Sequence, residues 1–150
     1  MKHKILLIYS YLIRLLLVWL PDMPSIMRFR GFLYSLGMGG CGKNLQVSST
    51  AVLRGVEKII CGCDIYIGPN AYIMSREKII IQNEVLIAMN VVIVDANHGK
   101  LNGSYRYSRG HQERIILGKG SWIAANSVVT AGAVIPAGKV VPPCTVVRKQ

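Results

Sequence analysis

The sequence predicts an all-β parallel β-helix of about five coils, preceded by a helical segment and interrupted by one protruding loop. Three observations predict it. First, aliphatic residues recur on a six-residue beat: Cys61, Ile67 and Ile73, then after a two-residue slip Ile81, Ile87 and Ile93, and finally Leu117, Ile123, Val129, Ile135, Val141 and Val147. Eleven of these twelve positions are Ile, Leu or Val, against 47 such residues in the whole 150, so composition alone does not produce the beat. Second, small or branched residues stand four positions after many of them: Ala71, Val85, Val91, Ser121, Ser127, Ala133 and Thr145. Third, Gly68, Asn70, Asn83, Asn90, Gly118, Gly120, Asn126, Gly132 and Gly138 fall between the beats, where bends with positive φ favour Gly and Asn. Each hexapeptide therefore reads as a short strand plus a bend. Three make one triangular turn, and turns stack ~4.8 Å apart through backbone hydrogen bonds. A sandwich of alternating strands would not hold phase across the 24 residues from Ile93 to Leu117, which is four times six.

The length suits a single domain, and a narrow repeat core is stable only when its ends are covered. Charge is lopsided, with 18 Lys plus Arg against 7 Asp plus Glu and a net of +11. Such a surface attracts polyanions, but the basic residues are scattered and no basic motif is interleaved with aromatics, which argues against nucleic acid. Of the four cysteines, Cys41, Cys61, Cys63 and Cys144, the pair Cys61 and Cys63 is too tightly spaced for a usual zinc site, and Cys61 occupies an inward slot. They read as buried thiols in a reducing compartment, with no metal, which suits the cytoplasm.

In chain order, residues 1–36 form the helical segment. An apolar run from Ile5 to Leu20 is broken mainly by Ser10 and Arg14. Sixteen helical residues reach roughly 24 Å, short of the roughly 20 residues a membrane span needs. The run begins like a secretory signal, with Lys2, His3 and Lys4, but ends in Pro21-Asp22-Met23-Pro24 without a small-x-small cleavage site. With Arg28, Arg30 and Arg54 close behind, the expectation is a helix lying on an anionic membrane surface, peripheral on its inner face, or packed against a partner. A second helix is expected over 25–36, with Ser25 as N-cap and Gly37 as stop. The β-helix domain then occupies 37–150. Its first coil is weakly patterned, with Cys41, Val47, Val52 and Leu53 as inward candidates, and further coils cover 61–80, 81–98 and, in two turns, Leu117 to the end. Residues 99–114 abandon the beat, so they must leave the stack at a corner and return. A polar excursion on a rigid scaffold is where function concentrates. Pro136, Pro142 and Pro143 fall at bends rather than inside strands.

The chain has three histidines, His3, His98 and His111. His98 stands where the third coil gives way to the loop, in Val94-Asp95-Ala96-Asn97-His98-Gly99, which raises it above an incidental surface histidine. The coils, this Asn-His-Gly stop, the returning Ile115-Ile116-Leu117-Gly118 and the segment Ser121-Trp122-Ile123-Ala124-Ala125-Asn126 resemble the left-handed parallel β-helix acyltransferases. Within them the chain is most similar to sugar and polysaccharide O-acetyltransferases of the galactoside and maltose acetyltransferase type. The resemblance covers roughly residues 37–147. Leu20-Pro21-Asp22 and Arg28-Phe29-Arg30-Gly31-Phe32-Leu33 also resemble the helical lead-in of surface-polysaccharide members. The left hand of the coil is implied by the resemblance alone and runs against the usual crossover preference.

The resemblance implies a homotrimer, with acetyl-CoA in a groove between neighbouring coils and a sugar or glycan-precursor hydroxyl beside a histidine. His98 matches the general base, since imidazole titrates in the range needed to take a hydroxyl proton as attack proceeds. The backbone N–H of Ala125 matches the oxyanion donor. Trp122, Ala124, Ala125, Thr130, Ala131 and Gly132 match the lining of the pantetheine arm. Lys139, Arg148 and Lys149 are candidates for the CoA phosphates. For the acceptor, the candidates are Ser75, Arg76, Asp95, Asn97, Tyr105 and Tyr107, with Arg106 beside the tyrosines. Asp95, Asn97 and Glu113 are alternatives for orienting His98.

Two departures stand out. Where the galactoside enzymes hold the acceptor with asparagines, this chain has Met74-Ser75-Arg76, and Arg76 suits an acidic or phosphorylated acceptor. The last coil also lacks the usual Gly-x-Pro closing turn. A non-catalytic scaffold on the same coil is the alternative function. A zinc carbonic anhydrase would need three histidines around one metal, and only His98 and His111 are near the stack.

Overall fold

A computed structural model describes residues 2–149. Helix α1 (Lys2–Leu17) and helix α2 (Pro24–Ser35) precede a five-coil stack of parallel strands arranged as three five-stranded sheets. The first face holds Gly40–Cys41, Ile59–Cys61, Ile79–Ile81, Ile115–Leu117 and Val134–Ile135. The second holds Leu45–Val47, Ile65–Ile67, Leu86–Ile87, Trp122–Ile123 and Val140–Val141. The third holds Val52–Arg54, Tyr72–Met74, Val92–Val94, Val128–Thr130 and Val146–Val147.

Register gives the beat its physical meaning. Cys61 pairs with Ile81 and Ile81 with Leu117; Ile67 pairs with Ile87 and Ile87 with Ile123; Ile73 pairs with Ile93 and Ile93 with Val129. Each column is therefore one inward slot repeated up the stack. Those from Ile67 to Val129 are almost wholly buried, as are the small residues Ala71, Val85, Val91, Ser121, Ser127 and Ala133, each of which fills a second inward slot just before a strand begins. In the weakly patterned first coil Val47 and Leu53 point inward as expected, but Val52 does not: it faces outward in register with Tyr72, and Leu45 takes the inward slot. Thr145 and Val147, in the last coil, are half-buried.

The two-residue slip has a structural cause. Leu53 to Cys61 and Ile73 to Ile81 are both eight-residue steps and both turn the same corner, between the third and first faces. In the first coil the extra length forms a 3₁₀ turn, Val56–Lys58, entered through Gly55 at φ +67°. The passage from Ile93 to Leu117 turns this corner too, so the loop enlarges a corner that is already wide in the two coils below.

At the other two corners left-handed residues form columns. Asn44, Asp64, Glu84, Gly120 and Gly138 line one corner, and Asn70, Asn90, Asn126 and Cys144 the other, all with positive φ. Gly68, Asn83 and Gly118, expected among them, are not left-handed. A Cβ on Gly68 would lie 2.9 Å from the Ala88 carbonyl carbon and one on Gly118 2.5 Å from the Ala137 nitrogen, so there glycine permits close stacking. Asn83 instead accepts the Cys63 amide at 2.9 Å.

The helices cover the lower end of the stack. Leu6, Tyr9, Ile13 and Leu17 of α1 pack inward, and Ile13 and Tyr34 join the coil core. Burial pushes the Tyr34 phenol up to about 12. Gly31 lets α2 touch the first coil, for a Cβ there would sit 1.9 Å from the Leu45 carbonyl oxygen. Arg30, 1% exposed, donates to the Asp22 carboxylate (3.0 Å) and to the carbonyls of Val47 (2.6 Å), Leu17 (3.3 Å) and Leu20 (3.2 Å). Helix α2 begins one residue earlier than expected, at Pro24. Its N-cap is Met23, with no side-chain cap, because proline already removes one unpaired donor, and Ser25 lies inside the first turn. All four cysteines are free, but only Cys61 is buried; Cys41 and Cys63 are half-buried and Cys144 is exposed, a correction to the expectation of buried thiols. Cys41 stacks directly on Cys61, whose thiol is raised by its hydrogen bond to Cys41 and by burial.

Candidate active site

The wide corner positions most of the predicted acceptor residues, and it divides them into structural and accessible groups. Asp95 is fully buried. Its carboxylate accepts from Ser75 Oγ (2.8 Å), the Arg76 amide (2.6 Å) and the Glu77 amide (2.9 Å), so it pins the corner of the coil below. Ser75 is buried with it. Neither side chain has a face left for a substrate, and the Asp95 carboxylate is turned to Ser75 and the two amides and makes no hydrogen bond to His98. Those two expectations are corrected by the stacking of the corner. Arg76, Asn97, Tyr105 and Tyr107 are exposed. Lys100 lies over the Tyr105 ring at 5.6 Å and Arg106 over the Tyr107 ring at 5.6 Å.

The loop leaves and returns through a two-stranded hairpin in which Ala96 pairs with Gln112 and Asn97 with His111. Gly110, at φ +66°, closes it: a Cβ would come within 2.2 Å of the Asn97 carbonyl oxygen. His98 follows directly and is exposed, with no hydrogen-bond partner among the described residues. The histidine with a carboxylate partner is His111, whose Nε2 lies 3.0 Å from Glu113 Oε2, while Lys149 Nζ reaches Glu113 Oε1 at 2.6 Å. Those bonds, from Lys149 first and His111 second, hold the Glu113 carboxyl below its ordinary range. Glu113 therefore serves His111, not His98.

The residues predicted for acetyl-CoA are distributed over all three corners. Trp122 stands exposed on the second face, with Ala124 and Ala125 at the next corner; Thr130, Ala131 and Gly132 return to the wide corner; Lys139 lies at the remaining one, and Arg148 is exposed after the last strand. Ala124 and Ala131 are buried, and Thr130 Oγ1 donates to the Val147 carbonyl at 3.2 Å. The neighbouring amides of Ala124 and Asn126 donate to Val141 (3.0 Å) and Met89 (3.2 Å), whereas the Ala125 N–H meets no acceptor among the described residues. Ala125 and His98 occupy different corners, separated by a whole face of the prism. The strand Val128–Thr130 runs along that face, and three strand residues alone span roughly 10 Å at ~3.3 Å each, so one protomer does not bring the two together.

Sequence reasoning did not find the cleft beneath the loop. About 550 Å³ in volume, it is walled by His3, Arg54, Glu57, Lys58, Arg76 and Gln112. The repeated eight-residue step from Leu53 and from Ile73 was the available signal, because it brings those residues to one corner.

No protein-family model and no curated protein matches the chain. Solved structures do. A hexapeptide-repeat acetyltransferase from Vibrio cholerae O1 biovar eltor, complexed with acetyl coenzyme A, superposes with TM-score 0.80 at 20% identity, covering 97% of this chain and 78% of the other. A galactoside acetyltransferase in complex with coenzyme A gives 0.71 at 20% identity over 95% and 76%. A maltose O-acetyltransferase from Clostridium difficile 630 gives 0.57 at 20% identity over 98% and 88%. The superpositions cover 95–98% of the chain, and in fold the chain is a parallel β-helix like these hexapeptide-repeat proteins.

Proposed function

We propose that the chain transfers an acetyl group from acetyl-CoA to a hydroxyl of a sugar or glycan precursor. The observation that carries this is the large corner excursion of the stack, with His98 free at its foot, on a fold whose solved neighbours were captured with acetyl-CoA or CoA. The His98 imidazole takes the acceptor's hydroxyl proton as that oxygen attacks the thioester carbonyl. The carbonyl oxygen becomes an oxyanion held by the Ala125 N–H. The intermediate expels the CoA thiolate, which recovers the proton from the imidazolium.

Because His98 and Ala125 lie at different corners, a site containing both needs a second protomer, which supports a homotrimer. Outward ladders such as Tyr66, Leu86, Trp122 and Val140 offer apolar faces for such contacts. The outer side of α1 supports a peripheral membrane position. Ile5, Ile8, Leu12, Leu15, Leu16 and Trp19 form one stripe, exposed from 44% at Leu12 to 85% at Trp19, on a chain of net charge +11. No helix among the described residues is long and apolar enough to cross a membrane.

A second reading makes His111 the base, favoured by its bond to Glu113. Acceptor-dependent CoA release by His98→Ala and His111→Ala separates the two: loss in the first alone supports His98. The proposal fails if the unmodified protein shows no saturable acetyl-CoA binding, the outcome expected of a scaffold.

A further inference from the structure

We propose that the cleft under the corner loop binds the phosphate of an amphiphilic ligand, a phosphorylated head carrying a hydrocarbon chain. Arg54, Lys58 and Arg76 approach from two successive coils, and Gln112 comes from the returning strand of the loop. Their charge is opposed among the lining residues by Glu57 alone, and its carboxylate contacts the His3 ring. Arg54 Nη1 donates to Tyr72 Oη at 3.2 Å, so its guanidinium is steered along the third face. Lys58 donates to the Arg76 carbonyl, which holds its ammonium against the backbone of the next coil. Three cations at one mouth are a recognition set for a phosphate's several oxygens, which accept from forks and point charges together.

A second hollow, about 380 Å³, adjoins the cleft, and Leu7 and Arg54 belong to the walls of both. It runs between α1 and the third face, where Leu7, Tyr11, Val52 and Tyr72 make an apolar and aromatic trough; Ser10 and Arg14 also line it, with Arg14 lying over the Tyr11 ring at 5.9 Å. A cationic end opening into an apolar trough is complementary to a charged head on a hydrocarbon tail, and neither a free sugar nor a bare phosphate fills both. Gln112 pairs with Ala96, two residues before His98, so the phosphate would lie close to the loop foot. Identifying this ligand as the acetyl acceptor rests on the acetyl-transfer proposal; the binding itself does not.

The test uses the full chain without CoA and titrates three probes: farnesyl phosphate below its micellar concentration, farnesol and inorganic phosphate. Farnesyl phosphate is expected to saturate, with the other two at least about tenfold weaker, the scale of one lost charged contact. Arg54→Gln and Arg76→Gln should each weaken farnesyl phosphate about tenfold or more. Tyr11→Ser should weaken farnesyl phosphate and leave inorganic phosphate unchanged. Melting temperatures within about 2 °C of the parent certify that the variants are folded. Equal affinity for inorganic and farnesyl phosphate would overturn the amphiphile in favour of a free phosphate, and equal affinity for farnesol would overturn the anion site. Loss of acetyl-CoA binding with farnesyl phosphate binding intact would sink the acetyl-transfer proposal and spare this one.

Discussion

Replacing Arg30 with Ala tests how the helical cap is held on the coil. The guanidinium is buried and joins four partners: the Asp22 carboxylate, the Val47 carbonyl of the first coil, and the Leu17 and Leu20 carbonyls at the end of α1. Truncation leaves those carbonyls without their donor and opens a void beneath α2. Asp22 is exposed, so the cost lies mainly in the buried carbonyls left unpaired and in the void, together about 3–5 kcal/mol. At about 2–4 °C per kcal/mol for a chain of this size, the melting temperature should fall by about 6–20 °C. Scanning calorimetry measures it. The acid limb offers a second readout. Burial alone would raise the Asp22 carboxyl, but bonds from the Ser48 hydroxyl and Ser49 amide, with the Arg30 charge, outweigh it and hold it below its ordinary value. A carboxyl depressed in the folded state contributes stability above its unfolded pKa, about 3.9. That contribution disappears as pH falls through the folded value. Arg30→Ala should therefore shrink the stability lost on acidification as well as the stability at neutral pH. A drop under about 2 °C, with an unchanged acid limb, would refute the view that Arg30 is the pin between cap and coil.

Gly31→Ala should destabilise by about 1–3 kcal/mol despite a better helix propensity, because the added Cβ meets the Leu45 carbonyl; urea unfolding measures it. Asp95→Ala strips the Ser75 hydroxyl and two corner amides of their acceptor and should cost about 2–4 kcal/mol, again by urea unfolding, with faster hydrogen exchange at Arg76 and Glu77. Cys144→Asn should raise the melting temperature by about 1–3 °C, since Asn tolerates the left-handed backbone that Cys144 adopts above Asn126. A lower melting temperature would show that the corner column does not set residue preference there.

The fold was legible because burial in a coil is local and repetitive. Every inward slot from Ile67 to Val141 obeys one rule, and an imperfect slot such as Cys61 does not blur it. The first coil was harder to read because the two helices cover its end and supply part of its core through Ile13 and Tyr34, so Val52 was free to face outward. The roles of the polar residues were only partly legible. Asp95, three residues before His98, was one of three alternatives for orienting it, whereas stacking turned its carboxylate downward onto Ser75 and two amides of the coil below. Glu113 was one candidate among three, and strand return gave it to His111 and Lys149.

The linear chain by itself determined the periodic core, the number of coils, the place of the excursion and the positive charge, because each depends on residue type and spacing. The tertiary structure alone decided which side chains share a corner. Residues about 20 positions apart become neighbours through backbone stacking, and that is what assembles Arg54, Lys58 and Arg76 into one cleft and separates His98 from Ala125 by the width of a face. Spacing specifies a column, but which way a corner turns a polar side chain depends on the coil lying against it.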